Sequence, residues 1–168
     1  KKKKKVNEEA RQAAPKFPLL DYQHAWIYYH SHDWEKAIVQ MQNFIKKYPE
    51  QKERVYQVKM MLSNTYVQQG EIGKGEAVLE EMLADDPENP SINNDLGYLY
   101  ADQGKNLEKA EKMIRIALKS EPDNMAYLDS MGWVLFKLER YQEAANILRK
   151  PASCRAVGTV RSWIIWQT

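Results

Sequence analysis

The chain repeats itself with a period of about 34 residues, and this repetition constrains its fold more than any other feature. Four small residues, Ala37, Gly75, Ala110 and Ala144, follow one another at intervals of 38, 35 and 34 residues. Prolines at positions 49, 87 and 122 recur at intervals of 38 and 35 residues. A repeat of this length is one supersecondary unit that cannot bury its apolar face alone, so the units must stack on one another.

Each unit has the pattern of two antiparallel helices. Apolar residues within a unit are three and four residues apart, which places them on one side of a helix. The middle of each first helix carries a small residue, which is Ala25, Ser63, Gly97 or Gly132, and in two units it is therefore a glycine. Because glycine inside a helix costs about 1 kcal/mol relative to alanine, these positions predict that a partner helix approaches closely. We expect helices over residues 19–31, 34–48, 51–69, 72–84, 90–103, 107–120, 124–138 and 141–150.

Two departures from the period predict where the structure adapts. Four extra residues separate the first and second units, and they amount to about one helical turn. We therefore expect the helix that starts near Gln51 to be longer, with its apolar side facing the same way. One extra residue in the segment 102–106 lies in a turn between two helices, where an insertion costs little.

The best-preserved residues of the units resemble those of the tetratricopeptide repeat. They are Leu96-Gly97-x2-Tyr100 with Ala110, Ala117 and Pro122, and Met131-Gly132-x2-Leu135 with Tyr141 and Ala144. The resemblance covers residues 18–150, as repeats of about 18–50, 56–89, 90–124 and 125–151. It is weaker in the first two units, where His24 replaces the usual leucine and Gly75 the usual alanine. Residues 93–150 also resemble a group of bacterial repeat proteins, some of them exported or lipid-anchored.

The resemblance implies an all-α fold, a right-handed α–α superhelix of about four helix-turn-helix repeats with a concave groove. It further implies a non-catalytic protein–protein interaction scaffold, without catalytic residues or cofactors. In this family the inner face of the groove comes from the first helix of each pair. Counting from the small residue onto that face identifies these candidate peptide-binding residues: Tyr22, Trp26, Tyr29, Met60, Asn64, Asn94, Tyr98, Asp129, Trp133 and Phe136.

The chemistry of these candidates indicates the kind of ligand. Aromatic rings with a few amides suit an apolar or extended peptide, and Trp133 and Tyr98 are the strongest anchors. The alternative is that the rings pack between repeats, because a stripe at helical spacing is also typical of a core. Three acids, Asp95, Asp102 and Asp129, lie on or beside the face, where Lys137 is the one evident cation. We therefore expect a protein or peptide partner that is apolar and carries Lys or Arg.

A better-known binding mode of the family clamps a C-terminal carboxylate with Lys, Arg and Asn. Asn64 occupies a matching position, but Met60 stands where a lysine would be needed. Asp95 and Asp129 would also place negative charge near that of the ligand. The sequence therefore does not predict a partner that binds through its C-terminal carboxylate.

Charge and hydropathy exclude two further classes of partner. Of the net charge of +2, Lys1 to Lys5 contribute +5 and the last 18 residues +2, so residues 6–150 carry −5. A nucleic-acid-binding surface would need Lys and Arg gathered on the folded part. The longest unbroken apolar run, Ala25 to Tyr29, has five residues, whereas a membrane-spanning helix needs roughly 20. We expect a soluble protein of a bacterial cytoplasm, periplasm or envelope, without a visible signal peptide.

The sequence indicates neither a metal site nor an active site. His30, His32 and Asp33 offer side chains that suit zinc, but residues two apart do not share a helical face. We interpret them as turn residues, with Ser31 or Asp33 capping the next helix. A phosphate loop, a nucleophile elbow and a zinc-protease helix are all missing from the sequence. The single cysteine, Cys154, cannot form an intramolecular disulfide.

The two ends of the chain differ in composition from the repeats. Residues 1–17 are expected to form a basic, flexible segment, and residues 151–168 contain no acid. This C-terminal tail either folds back onto the fourth unit or is not native coding, as a frame error or a fragment edge would produce. An alternative function follows from its apolar run, Trp163 to Trp166. The chain would then be a structural assembly element that self-associates through the solenoid ends or this tail.

Overall fold

The computed structural model describes residues 17–149, and within this range the chain forms eight α-helices and no β-strand. Residues 1–16 and 150–168 lie outside the described residues, and with them most of the basic N-terminal segment and the whole apolar tail. The helices are α1 (Pro18–His30), α2 (Trp34–Lys47), α3 (Lys52–Gln68), α4 (Ile72–Asp85), α5 (Pro90–Asp102), α6 (Leu107–Ser120), α7 (Met125–Lys137) and α8 (Tyr141–Leu148).

The described residues divide into two compact units, unit one up to Val78 and unit two from Leu79 onwards, and the boundary falls within α4. In unit one, α1 packs against α2, α2 against α3, and α1 also contacts α3. In unit two, α5 packs against α6, α6 against α7, and α7 against α8, while α5 contacts α7. The first helices α1, α5 and α7 therefore contact their own second helices, and the first helices α3 and α7 also contact the second helix before them.

Asparagine and aspartate side chains cap the N-termini of three helices, and the cap at Asp33 is one of the two that the sequence predicts. Asn89 accepts a hydrogen bond from the backbone N–H of Ile92 at 3.2 Å, and Asn124 accepts one from Ala126 at 3.0 Å. Asp33 caps α2 in the same way. These oxygens satisfy backbone donors that have no partner inside the helix.

All four turns from a first helix to its second helix end on the same backbone geometry. The residue seven positions after the small residue has a positive φ in each: His32 (58°), Gly70 (78°), Gly104 (66°) and Glu139 (60°). The N–H of this residue and of the one that follows it return to carbonyls of the last helical turn, as in a Schellman motif. Glycine adopts this conformation without strain, whereas a side chain makes it unfavourable. The sequence reasoning did not identify His32 and Glu139 as the equivalents of these glycines.

The core of unit one is rich in aromatic rings. Phe44 and Tyr48 are almost completely buried, and their ring centroids are 5.0 Å apart. The Tyr48 hydroxyl and the Lys47 ammonium both donate hydrogen bonds to Asp21 Oδ2, which connects α1 to the end of α2. Burial would raise the pKa of Asp21, but the hydrogen bonds from Tyr48 and Lys47 hold that pKa below its ordinary value.

The helices of a pair approach closely where the sequence has its small residues. A Cβ built on Gly97 would lie 2.9 Å from Ile114 Cγ1 and 3.1 Å from the Ala110 carbonyl oxygen. A Cβ built on Gly132 would lie 2.8 Å from the side chain of Leu148. The predicted close approach at these two glycines is confirmed.

The helices of the α3–α4 pair also approach closely, but here the glycine, Gly75, lies on the second helix and the first helix carries Ser63. A Cβ on Gly75 would lie 2.8 Å from Val67 Cγ2, and the Ser63 hydroxyl donates a hydrogen bond to the Gly75 carbonyl oxygen at 2.8 Å. α3 has 17 residues, whereas α1, α5 and α7 have 13 each. The expected extension by one turn is therefore present, and Ser63 keeps its place against the second helix.

The close approach predicts the effect of adding a methyl group at Gly97. Gly97→Ala should destabilise the protein by roughly 1 to 3 kcal/mol, because the new Cβ crowds a backbone oxygen that cannot move alone. Urea unfolding followed by circular dichroism measures this. The matched control is Gly73→Ala, since a Cβ there meets nothing within 4 Å and alanine favours the helix. A Gly97→Ala variant as stable as the control would contradict the close approach.

The shared turn geometry predicts a stabilising substitution. Glu139→Gly should raise the free energy of unfolding by about 1 kcal/mol, because glycine relieves the left-handed conformation. The reverse change at the equivalent turn, Gly104→Ala, should lower it by a similar amount. Parallel denaturation curves of the two variants test this, and a change of the same sign in both would rule the explanation out.

Candidate functional site

The predicted site residues occupy repeated positions on the first helices. Counted from the small residue of each helix, they lie three residues before it, one after it or four after it. We call the side of α1 and α3 that carries these positions the unit-one face. The corresponding side of α5 and α7 is the unit-two face. The unit-one face carries Tyr22, Trp26, Tyr29, Met60 and Asn64, and the unit-two face carries Asn94, Tyr98, Asp129, Trp133 and Phe136.

The unit-one face is partly integrated into the core. The Tyr29 hydroxyl donates a hydrogen bond to Asn64 Oδ1 at 3.0 Å, which brings α1 and α3 together. Tyr22 packs edge-on against the buried Phe44, with ring centroids 6.0 Å apart. Trp26 is 45% exposed and stacks on His30 at 3.9 Å. Trp26 and Asn64 are therefore the accessible members of this face, while Tyr22 and Met60 are half-buried.

The unit-two face presents a stacked pair of rings. Trp133 and Phe136 lie 5.6 Å apart at an interplanar angle of 11°, and Phe136 also contacts Tyr141 at 5.5 Å. Phe136 is 46% exposed. The Lys137 ammonium lies 4.8 Å from the centre of the Trp133 ring and donates a hydrogen bond to the carbonyl oxygen of Asp102 at 3.3 Å. This lysine connects α7 to the end of α5 and positions the tryptophan.

Asn94 provides a polar group on the unit-two face. The residue is 7% exposed, and its Nδ2 donates a hydrogen bond to Asp95 Oδ1 at 3.0 Å. Its Oδ1 is buried and accepts no hydrogen bond from any residue in the range 17–149. A buried acceptor that lacks a donor reduces the free energy of unfolding. A ligand can reach this oxygen only if the groups that enclose it move aside.

Burial perturbs the acids and the tyrosine of the unit-two face. It raises the pKa of Asp129, and it raises the pKa of Asp95 more than the hydrogen bond from Asn94 lowers it. Burial and the nearby charge of Asp102 raise the pKa of Tyr98 to about 12. Both carboxylates are therefore partly removed from water.

The polar residues of the first turn have structural roles. His30 ends α1 with its Nδ1 3.0 Å from the carbonyl oxygen of Trp26, and Asp33 caps α2. In the part of the chain that the structure describes, no three His, Cys, Asp or Glu side chains are grouped to hold a metal ion. Over the same residues, no helix is both long and apolar enough to cross a membrane.

Sequence reasoning missed how the faces divide between core and surface. The Tyr29–Asn64 hydrogen bond joins a position four after one small residue to a position one after the next. Aligning the repeats on these small residues would have shown that a tyrosine and an asparagine occupy the two positions that meet between successive first helices. The burial of Asn94 has no such signal, because it depends on the neighbouring helix.

Family models place the chain among repeat proteins. Two models, both described as "Tetratricopeptide repeat", match residues 66–134 and residues 20–50, together more than half of the chain. The TPR repeat-containing protein PA4667 of Pseudomonas aeruginosa is 32% identical over 116 residues. This match covers 69% of the chain but 19% of that protein, so the chain spans about a fifth of the length of this relative.

Solved structures share the fold. "MamA 41-end from Desulfovibrio magneticus RS-1" superposes with a TM-score of 0.65 at 19% identity, over 78% of this chain and 71% of that one. A tetratricopeptide repeat protein from Parabacteroides merdae ATCC 43184 gives a TM-score of 0.68 at 18% identity, over 83% and 56%. The all-α fold of helix-turn-helix repeats expected from the sequence is thereby confirmed.

The raised pKa of Asp129 predicts how stability depends on pH. The folded protein holds this proton more tightly than the unfolded chain, whose pKa is near 3.8, so stability falls as the pH rises through the folded-state pKa. Asp129→Asn should therefore stabilise the protein at neutral pH and have little effect in acid. Urea unfolding at several pH values measures this. Asp123→Asn is the control. Asp123 is exposed just before α7, so removing its negative charge should not stabilise the protein.

Proposed function

Because the chain belongs to the tetratricopeptide repeat family, we propose that it is a non-catalytic scaffold that binds a peptide or protein segment on the faces of its first helices. Repeats of this family are interaction modules as a class. The observation that carries the proposal is the unit-two face, where the half-buried Trp133 stacks on the exposed Phe136 on the same side as a buried acceptor, Asn94 Oδ1.

The unit-two face suits an extended ligand. The Trp133–Phe136 stack offers a flat apolar surface on which a ligand side chain can be buried. If the groups that enclose Asn94 Oδ1 move aside on binding, the ligand backbone supplies an N–H from which this oxygen accepts a hydrogen bond. Because peptide N–H groups occur at every residue, this arrangement selects for an extended backbone and an apolar side chain rather than for a particular sequence.

The charge of this face favours a basic ligand. Burial raises the pKa of the Asp95 and Asp129 carboxylates. The ammonium group of Lys137 already contacts the Trp133 ring and the carbonyl oxygen of Asp102. A Lys or Arg side chain on the ligand would compensate the acids, and an acidic ligand would meet like charge. The proposed ligand is therefore apolar and basic.

The unit-one face is proposed as a further contact surface. Trp26 supplies an exposed ring, and Asn64 supplies an amide whose oxygen already accepts from Tyr29. The Asn64 Nδ2 group would donate to a ligand carbonyl. Tyr22, Tyr29 and Met60 would support this surface from below.

The second candidate function is structural assembly through self-association. The observation that favours it is a concentration of exposed apolar side chains on α1, including Leu20 and Ile27. Monomeric proteins rarely leave such a patch uncovered. The apolar run Trp163 to Trp166, which the sequence also suggests for this role, lies outside the described residues.

A peptide array tests the proposed ligand chemistry. We expect peptides that combine apolar residues with Lys or Arg to bind better than acidic peptides of equal apolar content, and their binding to weaken as salt increases. Asp129→Asn should reduce both the salt dependence and the preference for basic peptides. Preferential binding of acidic peptides would contradict the proposal.

Truncation of the central ring tests the site itself. Trp133→Ala should weaken binding of the best array peptide by more than about fivefold, a cost above 1 kcal/mol. Fluorescence anisotropy of the labelled peptide measures it. Trp34→Ala is the matched control, because Trp34 is a partly buried tryptophan outside the unit-two face; its ring contacts Tyr29 of the unit-one face. A folded Trp133→Ala protein that binds as tightly as the control would place the binding surface elsewhere.

A further inference from the structure

The helices α5 and α7 lie side by side in a register that two polar contacts define. Near the N-terminal ends, the hydroxyl oxygens of Ser91 and Tyr127 are 3.4 Å apart. At the C-terminal ends, the Lys137 ammonium donates a hydrogen bond to the carbonyl oxygen of Asp102 at 3.3 Å. The two residues of the first contact are 36 apart in the chain, and those of the second are 35 apart. A residue of α5 therefore lies beside the residue of α7 that follows it by about one repeat.

The N-terminal halves of the two helices carry two acids at the same level. By the register, Asp129 of α7 lies beside Asn94 of α5. Asn94 Nδ2 donates a hydrogen bond to Asp95 Oδ1 at 3.0 Å, so the Asp95 carboxylate lies at this level too. Burial raises the pKa of both acids, because both have lost part of their contact with water. We call Asp95 and Asp129 the acid layer of the unit-two face.

The aromatic rings lie one helical turn further towards the C-terminal ends. Trp133 follows Asp129 on the same side of α7, about 6 Å further along the helix axis. By the same register, Tyr98 of α5 lies beside Trp133. The Trp133 ring stacks on the ring of the exposed Phe136, with centroids 5.6 Å apart. We call Tyr98, Trp133 and Phe136 the ring layer of the unit-two face.

Lys137 gives the ring layer a charge that differs from that of the acid layer. Its ammonium lies 4.8 Å from the centre of the Trp133 ring, so a ligand cation placed on that ring would meet a positive charge. The exposed Asp102 at the end of α5 offsets part of this charge. The acid layer therefore favours a cation, whereas the ring layer favours an uncharged apolar side chain.

We propose that the unit-two face selects an extended segment in which a Lys or Arg and an apolar residue are two positions apart, with the cation in the acid layer and the apolar side chain in the ring layer. Residues two apart in an extended chain are separated by about 6.6 Å and project on the same side. This spacing matches the distance of about 6 Å between the layers. Residues one or three apart project on opposite sides, and residues four apart are too distant. The inference rests on the proposed function and adds a spacing to it.

A peptide series of constant composition tests the spacing. Each blocked peptide carries one Lys and one Phe in a neutral host, one to four positions apart and in either order. We expect the peptides with the two residues two apart to bind the full chain at least about threefold more tightly than the others, by fluorescence anisotropy. Equal affinity at every spacing, or tightest binding at four, as a helical ligand would give, would overturn the inference. The preference for basic, apolar peptides would then still stand, whereas failure of every basic, apolar peptide to bind would refute both proposals.

Double-mutant cycles test which layer each ligand residue contacts. Asp129→Asn should couple, by at least about threefold in affinity, to replacement of the peptide Lys by norleucine. Phe136→Ala should couple in the same way to replacement of the peptide Phe by Ala, and it should fold because Phe136 is exposed. The crossed combinations should be independent, and so should Asp123→Asn, which removes an exposed acid just before α7. Coupling of the peptide Lys to Asp102→Asn instead of Asp129→Asn would reverse the assignment of the layers and overturn it.

Substitution of Lys137 tests why the ring layer excludes a cation. A peptide with Lys at both positions should bind the wild type at least about threefold more weakly than the peptide with Lys and Phe two apart. In Lys137→Met this difference should shrink, because the positive charge beside Trp133 is gone. The matched control is Lys112→Met, which removes an exposed lysine from α6 and should leave the difference unchanged. An equal difference in both variants would show that Lys137 does not determine the selection.

Discussion

The contact between the middle of each first helix and its second helix determines the rest of the structure. At this contact the side chain of Ile114 or Leu148 occupies the space that a Cβ on Gly97 or Gly132 would need. The contact sets how far each first helix is rotated about its axis. Because a helix has 3.6 residues per turn, that rotation assigns every other residue to a neighbour or to solvent.

The rotation divides each first helix into three sides. One meets the second helix of the same pair, another is buried beside the preceding pair in α3 and α7, and the remaining side carries the aromatic residues such as Trp133. The additional turn of α3 leaves this division intact, since four residues return almost to the same angle. In α1 the side that α3 and α7 bury beside the preceding pair is exposed. The apolar residues on that side therefore distinguish α1 from the later first helices.

The unit-two face combines features that reduce stability. Asn94 Oδ1 is a buried acceptor without a donor in the described part of the chain. Burial also raises the pKa of the Asp129 carboxylate. Both groups make folding less favourable than apolar residues would. Groups of this kind are typical of functional sites, where a ligand supplies the missing hydrogen bond and charge.

The sequence by itself determined the helices, their pairing and the close contacts at the glycines, because these depend on local spacing and on residues a few turns apart. It also determined which residues share a face, since helical periodicity is enough for that. Only the tertiary structure decided how buried each face residue is: Tyr22 packs against Phe44 and Asn94 is enclosed, whereas Phe136 remains exposed. It also revealed the left-handed turns at His32 and Glu139, where residues other than glycine adopt the geometry of Gly70 and Gly104. Burial and backbone geometry depend on neighbours distant in sequence, and the residue types do not encode those neighbours locally.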